Sequence, residues 1–551
     1  MFMTNFERGE WIPESLNGAN YTNVLDVFDQ ACSKYSDKVA YSSFGHNLTF
    51  AALDTLANAF AYHIQNNTDL VIGDKIAIQL PNVLQYPVTV LGAMRAGLVV
   101  VNTNPLYSPR ELEHQFNDAG VKAIVLYEGV AHNVEKIVDK TQIKHIFTTN
   151  LADFHPFVKR NLINLAVKHV KRMIPKFSLP QAVSLRSVIF SNSGQKPQLV
   201  DCKPSDIAVL QYTGGTTGVS RGVMLSHANL VSNMLQAADV ISRAPSHWKD
   251  VVVAPLPLYH IYAFTISLIV MEAGGLSVLI ANPRDIPSFI KELGKWKFTG
   301  FLGLNTLFVA LCNQKAFETL NFEKFCLTIS GGMALTHDCA QMWHKATGTE
   351  IMEGYGLTET SPIVAVNPVN DIEIGTIGYP VAETKVRIIN ENEEDSAVGE
   401  PGELCVFGPQ VMKGYWNYQE ATSAAFTQDG YFKTGDIATF SEQGRLSIVD
   451  RAKDLIIVSG FNVYPNEVED IASSHPDVLE CAAIGVKNDV TGEQIKLFVV
   501  SSSESLDAEK LRAYCKEQLA AYKVPKLIEQ VAELPKSNVG KVLRRMLRED
   551  N

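Results

Sequence analysis

Short apolar runs, each too brief for a helix, alternate with stretches of helical period from about Tyr21 to Val200, and this alternation limits the fold more than any other feature of the chain. Lys75-Ile76-Ala77-Ile78-Gln79-Leu80 reads as a strand, Val83 to Ala96 as a helix, Leu98 to Val101 and Ala123 to Tyr127 as further strands. Ser108-Pro109-Arg110-Glu111 opens another helix, with Ser108 as cap, Pro109 suited to the first turn and Glu111 reaching back to close a capping box. Strands that alternate with helices predict a mainly parallel sheet covered on both faces. From about Gly375 to Asp450 the apolar period shortens to two, as in Val386/Ile388, Leu404/Val406 and Leu446/Ile448, with turn signals at Pro401-Gly402, Gly408-Pro409 and Asp429-Gly430. After Asp450 short strands and helices mix again over about 100 residues, enough for a separate domain. The expected class is α/β: a large N-terminal domain (1–449) of two α/β subdomains plus a small β-barrel-like subdomain, a joint at 450–453, and a small α+β C-terminal domain (454–551).

Composition narrows the function. A chain of 551 residues exceeds one ordinary core and suggests roughly three or four cooperative units. With 46% hydrophobic and 19% charged residues it is neither coiled coil, collagen-like nor largely disordered. The net charge of -11 argues against a general nucleic-acid binder. Eight dispersed cysteines make neither a zinc pair nor a disulfide scaffold, and the first residues show no basic flank leading into an apolar run, so a reducing, cytoplasmic setting is expected. Val251 to Met271 has no Asp, Glu, Lys or Arg, yet Pro255, Pro257 and His260 interrupt it; a buried strand, a loop and a core helix from Phe264 to Met271 are expected rather than a membrane span. Val158 to Lys176 carries six Lys or Arg and no acid. On a helical wheel Leu162, Ile163, Ala166, Val170, Met173 and Ile174 gather opposite Arg160, Lys168, Lys171 and Arg172. Two readings stand: a helix lying on an anionic membrane, or an ordinary surface helix packed on the core.

The strongest chemical signal is Tyr212-Thr213-Gly214-Gly215-Thr216-Thr217-Gly218-Val219-Ser220-Arg221-Gly222. Gly214, Gly215 and Gly218 free the backbone to turn N–H groups inward, the three threonines add hydroxyl donors and Arg221 adds a cation, which together make a polyphosphate cradle. It differs from a Walker A loop because no Lys-Ser or Lys-Thr follows Gly218 and the loop joins one strand to another. A flexible Gly/Thr surface loop is the plain alternative. In Glu353-Gly354-Tyr355-Gly356-Leu357-Thr358-Glu359 the third glycine of a dinucleotide fingerprint is missing. The adjacent hydroxyl and carboxylate of Thr358 and Glu359 suit Mg²⁺ shared with phosphate, and Tyr355 offers a stacking face. Asp436, at the end of a short strand in Thr434-Gly435-Asp436, can accept from ribose hydroxyls, although a turn Asp is more often structural. Lys541 follows a Gly-bearing turn in a C-terminal stretch that otherwise reads as a basic tail.

These strings, in this order, resemble the adenylate-forming superfamily of acyl-CoA synthetases, luciferases and peptide-synthetase adenylation domains, over nearly the whole chain from about Tyr21 to Arg545. Asn102-Thr103-Asn104-Pro105-Leu106-Tyr107, Pro255-Leu256-Pro257-Leu258-Tyr259-His260 and Val458-Ser459-Gly460-Phe461-Asn462-Val463-Tyr464 look closer still to the bacterial long-chain fatty acyl-CoA synthetases. The resemblance implies ATP, Mg²⁺ and coenzyme A, with the 213–222 loop on the β- and γ-phosphates, Gly354, Tyr355 and Gly356 at the adenine, Asp436 on the ribose and Arg451 nearby. It implies Glu359 on the metal, Thr358 at the α-phosphate, and Lys541 delivered by a mobile C-terminal domain turning at Lys453. Gly460, Phe461 and Asn462 would line the pantetheine channel after that rotation, and His260 would stand between acyl and CoA pockets. Tyr262, Gly303, Leu304, Asn305, Gly332 and Met333 would line the acyl pocket.

Two positions depart from the family's pattern. Arg221 stands where Lys is usual, behind Ser220 where Pro or Ala is usual, which changes a point charge into a fork. Ala452 replaces a commonly basic hinge residue. The expected activity is a fatty acid–CoA ligase passing through an acyl adenylate. The alternatives are a ligase for medium-chain or aryl acids, an acyl-AMP ligase loading a carrier protein, or, from another class, a fatty-acid uptake or membrane-binding protein using 158–176 that would not need the phosphate loop, Glu359 or Lys541. A homodimer and peripheral membrane contact through 158–176 are left open.

Overall fold

The unbroken apolar runs form two sheets. The structure, a computed structural model, describes residues 16, 21–213, 220–244, 250–488, 490–536 and 542–549. A seven-stranded sheet is ordered Ala182–Ser184, His145–Thr149, Val121–Tyr127, Lys75–Gln79, Val99–Asn102, Ile207–Thr213 and Arg221–Ser226. Its pairs are parallel except the last, an antiparallel hairpin. Ile76, Ala77, Ile78, Val100 and Val101 are buried without alternation, as strands covered on both faces require. The nine-stranded sheet has a parallel centre, with Ile351–Gly356, Leu327–Gly331, Gly300–Gly303 and Val251–Ala254 as consecutive neighbours, and antiparallel strands at both edges.

The helix at Pro109–Ala119 starts with the capping box its sequence predicts: Ser108 Oγ accepts the Glu111 N–H at 3.3 Å, and Glu111 accepts the Ser108 N–H at 2.7 Å. The helix anticipated over Val83 to Ala96 runs over Gln85–Arg95. The apolar stretch resolves into a strand, Val251–Ala254, and a buried helix, Ile261–Glu272, that begins earlier than expected because His260 caps it through Nδ1. No helix among the described residues is long and apolar enough to cross a membrane.

The period-two region forms strands Lys385–Ile389, Gly402–Phe407, Phe432–Phe440 and Leu446–Arg451 in a four-stranded antiparallel meander. The expected barrel-like form is therefore an open sheet. Its fourth strand turns its free edge toward the nine-stranded sheet: the Ile377 N–H donates to Leu446 O and the Leu446 N–H to Gly378 O, each at 2.8 Å. Asp436 lies inside the third strand rather than at its end. After the turn at Ala452–Asp454, a further sheet and the helices Pro465–Ser473 and Ala508–Gln518 enclose a core that includes Ile456, Val468, Leu497, Val499 and Leu511.

The basic segment is no single packed helix. An α-helix at Phe157–Leu165 passes into a π-helical turn at Ala166–Val170, and the helical path ends where Arg172 takes φ 51°. Met173 and Ile174 thus follow the helix instead of extending its apolar face. Asn164 pins the segment by donating to Asp153 at 2.8 Å and accepting from the Ala152 N–H, and Val167 is buried. Phe157, Leu162 and Val170 nonetheless remain 70%, 65% and 79% exposed.

Candidate active site

Three of these units come together around Glu359. The seven-stranded sheet contributes its terminal hairpin, in which Thr213 faces Arg221 and Tyr212 faces Gly222. The helix Pro109–Ala119 braces that hairpin twice: His114 Nε2 lies 2.8 Å from Ser220 O, and the Tyr212 hydroxyl donates to Asp118 at 2.5 Å. The phosphate-loop residues Gly214, Gly215, Thr216, Thr217 and Gly218 lie outside the described residues, as does Lys541. Their anchors are described. Thr213 and Arg221 flank the loop, and around Lys541 the Lys536–Val542 bridge and Arg544 hold the chain on either side.

The nine-stranded sheet contributes the strand Ile351–Gly356 and the 3-10 turn Thr358–Thr360. A glycine is required at 356, because a Cβ there would fall 2.0 Å from Pro362 O. Glu359 Oε1 accepts the Tyr415 hydroxyl at 3.0 Å. Burial raises the Glu359 carboxyl, opposed by hydrogen bonds and by Arg451. The meander contributes Asp436, 4% exposed, whose Oδ2 accepts the Tyr355 hydroxyl at 2.6 Å and whose Oδ1 pairs with Arg451 Nε at 3.2 Å. Each Asp436 oxygen keeps a further lone pair for a ligand hydroxyl. A buried carboxylate beside a hydroxyl-bearing turn suits a hard divalent cation. The Ser220 Oγ, buried and without a partner among the described residues, and the Arg221 guanidinium supply a polar lining suited to phosphate oxygens.

The residues foreseen for the acyl pocket gather where strands Gly300–Gly303 and Leu327–Gly331 end. Tyr262 donates to Ile329 O at 3.3 Å and lies 3.3 Å from where a Gly331 Cβ would be, while Leu304 comes within 3.6 Å of a Cβ on Gly332. Asn305 Oδ1 accepts the Thr336 N–H at 3.1 Å, and Met333 is half-buried. Gly460, Phe461 and Asn462 stay on an exposed hairpin, where the 56% exposed Phe461 stacks on Tyr522 at 4.8 Å. Sequence reasoning missed Tyr415, His114 and Asp118. The only local signal for the first was an aromatic pair after glycine in Lys413-Gly414-Tyr415-Trp416.

The AMP-binding enzyme family matches residues 28–416, and the AMP-binding enzyme C-terminal domain matches residues 467–541. The chain belongs to the AMP-binding enzyme family. Within this adenylate-forming family it is similar to a long-chain-fatty-acid–CoA ligase of Escherichia coli O157:H7, 48% identical over 544 residues that cover 98% of this chain and 96% of the relative. A ligase of the same name from Haemophilus influenzae is 45% identical over 555 residues, covering 100% and 98%. Among solved structures, ATP-bound MatB from Rhodopseudomonas palustris superposes with a TM-score of 0.81 at 29% identity, covering 96% of this chain and 99% of that one.

One buried acid in this AMP-binding enzyme has a measurable consequence. Burial pushes the Glu353 carboxyl up to about 8, against one hydrogen bond from the Leu335 N–H at 3.1 Å. The unfolded chain ionises this group near ~4.3. Between those values only the folded state keeps the proton, so stability is lost as pH rises toward 8. Glu353→Gln can keep the Leu335 bond without the titration. Its melting temperature should exceed that of the wild type at pH 8.5 and approach it at pH 5; a gap independent of pH would contradict the assignment.

Proposed function

We propose that this enzyme is a long-chain fatty acid–CoA ligase, forming acyl-CoA, AMP and diphosphate from fatty acid, ATP and CoA through an acyl adenylate. The reading is carried by the approach of the hairpin at Thr213 and Arg221, through Tyr415, to Glu359 and the nearby Asp436–Arg451 pair. Its likeness to the bacterial ligases along the whole chain supports the substrate class.

A carboxylate is a poor electrophile, and adenylation converts it into a mixed anhydride that a thiol can attack. Both steps gather negative charge on phosphoryl or acyl oxygens, which fixed cations and dipoles stabilise. Gly214, Gly215, Thr216, Thr217, Gly218 and Arg221 hold the β- and γ-phosphates; Gly354, Tyr355 and Gly356 receive the adenine, and Asp436 the ribose, with Arg451 fixing its orientation. Glu359 holds Mg²⁺ and Thr358 the α-phosphate. The metal supplies neutralising charge on the phosphates. Lys541 approaches carboxylate and α-phosphate from the C-terminal domain (454–551), which turns on the N-terminal domain (1–449) at 450–453, with Lys453 as the hinge. The same rotation brings Gly460, Phe461 and Asn462 from their exposed hairpin to the pantetheine path beside His260. Tyr262, Gly303, Leu304, Asn305, Gly332 and Met333 line the acyl pocket.

The test is ATP-dependent acyl-CoA formation across acids of increasing length, with and without CoA. Highest turnover on long chains is expected. Activity confined to short acids or benzoates would replace this reading with the aryl or medium-chain one, and adenylate without thioester would favour carrier loading.

The exposed apolar and basic residues of 157–173 favour a second property, contact with an anionic lipid surface from the cytoplasmic side. Eight free thiols agree with a reducing compartment. Each Lys or Arg near such a surface contributes about 1 kcal/mol. Neutralising Lys168, Lys171 and Arg172 to Gln should therefore weaken binding to phosphatidylglycerol vesicles on the order of 100-fold while leaving turnover of detergent-dispersed substrate unchanged. Equal binding by the triple variant would refute the contact.

A further inference from the structure

We infer that Tyr415 is a positioning residue that couples the phosphate-loop cation Arg221 to the metal-holding carboxylate Glu359; this inference rests on the roles proposed above for those two groups. The segment 412–416 is laid along the outgoing strand of the phosphate-loop hairpin. The Met224 N–H donates to Gly414 O at 3.0 Å, the Lys413 N–H to Met224 O at 3.1 Å and the Trp416 N–H to Gly222 O at 2.7 Å. The same segment grips Glu359 from the other side. The Met412 N–H donates to Glu359 O at 2.8 Å, and the Tyr415 hydroxyl donates to Glu359 Oε1 at 3.0 Å.

The Tyr415 ring has a second contact. The Arg221 guanidinium lies 5.6 Å from its centroid and 5.6 Å from that of Tyr418, within reach of cation–π attraction to both. A planar guanidinium can stack on aromatic faces in a way an ammonium cannot, which gives the unusual arginine at 221 a physical partner. The backbone leading into Tyr415 is itself closely held. The Tyr415 N–H donates to Thr422 Oγ1 at 2.9 Å, and Gly414 takes φ 137°, where a Cβ would meet Thr422 Cγ2 at 2.6 Å. Tyr415 therefore has little freedom to drift, and its hydroxyl fixes one oxygen of Glu359 while its face steadies Arg221. A hydrogen bond from outside the metal's own shell orients a ligating carboxylate, and losing one commonly weakens metal affinity 10- to 100-fold.

The two contacts can be separated by substitution. Tyr415→Phe removes the hydroxyl and keeps the ring, whereas Tyr418→Leu removes a ring from Arg221 and leaves the Glu359 bond intact. With Mn²⁺ as a paramagnetic probe titrated into the enzyme–ATP complex, Tyr415→Phe should bind Mn²⁺ about 10- to 100-fold more weakly than the wild type. The Mg²⁺ concentration for half-maximal ATP–pyrophosphate exchange should rise in parallel. Tyr418→Leu should keep wild-type Mn²⁺ affinity and raise the KM for ATP. Thioester formation from supplied acyl adenylate, which involves no pyrophosphate, should be unchanged in both. Wild-type Mn²⁺ affinity in Tyr415→Phe would overturn the inference, and so would an equal loss of both half-reactions. Absence of exchange in the wild type would instead count against the ligase reading, and the Mn²⁺ titration would still decide the role of Tyr415.

Discussion

Lys541→Ala should lower acyl-adenylate formation by about 10²- to 10³-fold, the range for removing one fixed group that stabilises transition-state charge. Thioester formation from supplied acyl adenylate should stay close to the wild-type rate. In the proposed mechanism the difference arises because adenylation places charge on the α-phosphate and the attacking carboxylate at once, where the cation proposed at Lys541 has most effect. Once the adenylate exists, the rotation proposed at Lys453 carries Lys541 away and brings the Gly460–Asn462 hairpin in. The described residues on either side of position 541 are tied into the C-terminal domain. Just before it Lys536 pairs with Glu480 at 2.6 Å, and just after it Arg544 is clamped by Glu469. Measuring ATP–pyrophosphate exchange and single-turnover thioester formation on one preparation separates the steps. Equal loss of both would remove the division of labour.

Arg544→Ala should strongly destabilise the C-terminal domain. The guanidinium donates to Glu469 through two nitrogens, at 2.7 and 3.0 Å, and to Asn466 Oδ1 at 2.6 Å, and it lies 3.4 Å from Asp454 and 3.5 Å from Asp450. Removing one partner of a buried pair leaves uncompensated charge and typically costs about 3–5 kcal/mol. Burial already raises the Glu469 and Asp450 carboxyls, with Arg544 the main force against it; burial also works to raise Asp454, but Arg544 and Arg548 outweigh it and hold that group low. Without Arg544 the folded-state values of Glu469 and Asp450 rise further above those of the unfolded chain. The folded variant then holds protons that the unfolded chain releases, so its stability falls as pH rises above the ordinary carboxyl range. Thermal unfolding between pH 5 and 8 should show a deficit that widens toward pH 8. A loss that is small, or constant across that range, would mean the acids tolerate each other without the arginine. Because Arg544 follows Lys541 by three positions, adenylation should decline in the same variant.

Most strands, and the strings that make up the candidate site, are legible in the chain because their signals are contiguous. Ile76-Ala77-Ile78 is apolar on both faces, Ser108 to Glu111 closes its own capping box, and Glu353 to Glu359 carries the ribbon of small and polar residues that a nucleotide site uses. Other features are not local. Tyr415 is 56 residues from Glu359, and Arg544 is 75 from Glu469, so no window of sequence contains either pair. The segment 158–176 shows the limit most plainly. Its periodicity identifies two faces, but whether the apolar one is covered depends on what the rest of the fold brings beside it. Asn164 and Val167 anchor it while Phe157, Leu162 and Val170 remain outside.

By itself, then, the sequence determined the α/β class and the change of period at the meander, and it offered the residue types now proposed for phosphate, metal and acyl binding. Backbone periodicity and turn chemistry act over a few residues and are written where they act. Only the tertiary structure decided that the meander is an open sheet paired at Gly378, that Asp436 lies within a strand between Tyr355 and Arg451, and that Tyr415 spans Arg221 and Glu359. Hydrogen bonds and ring contacts depend on separations of a few ångströms in space, and those distances exist only after distant parts of the chain have packed together.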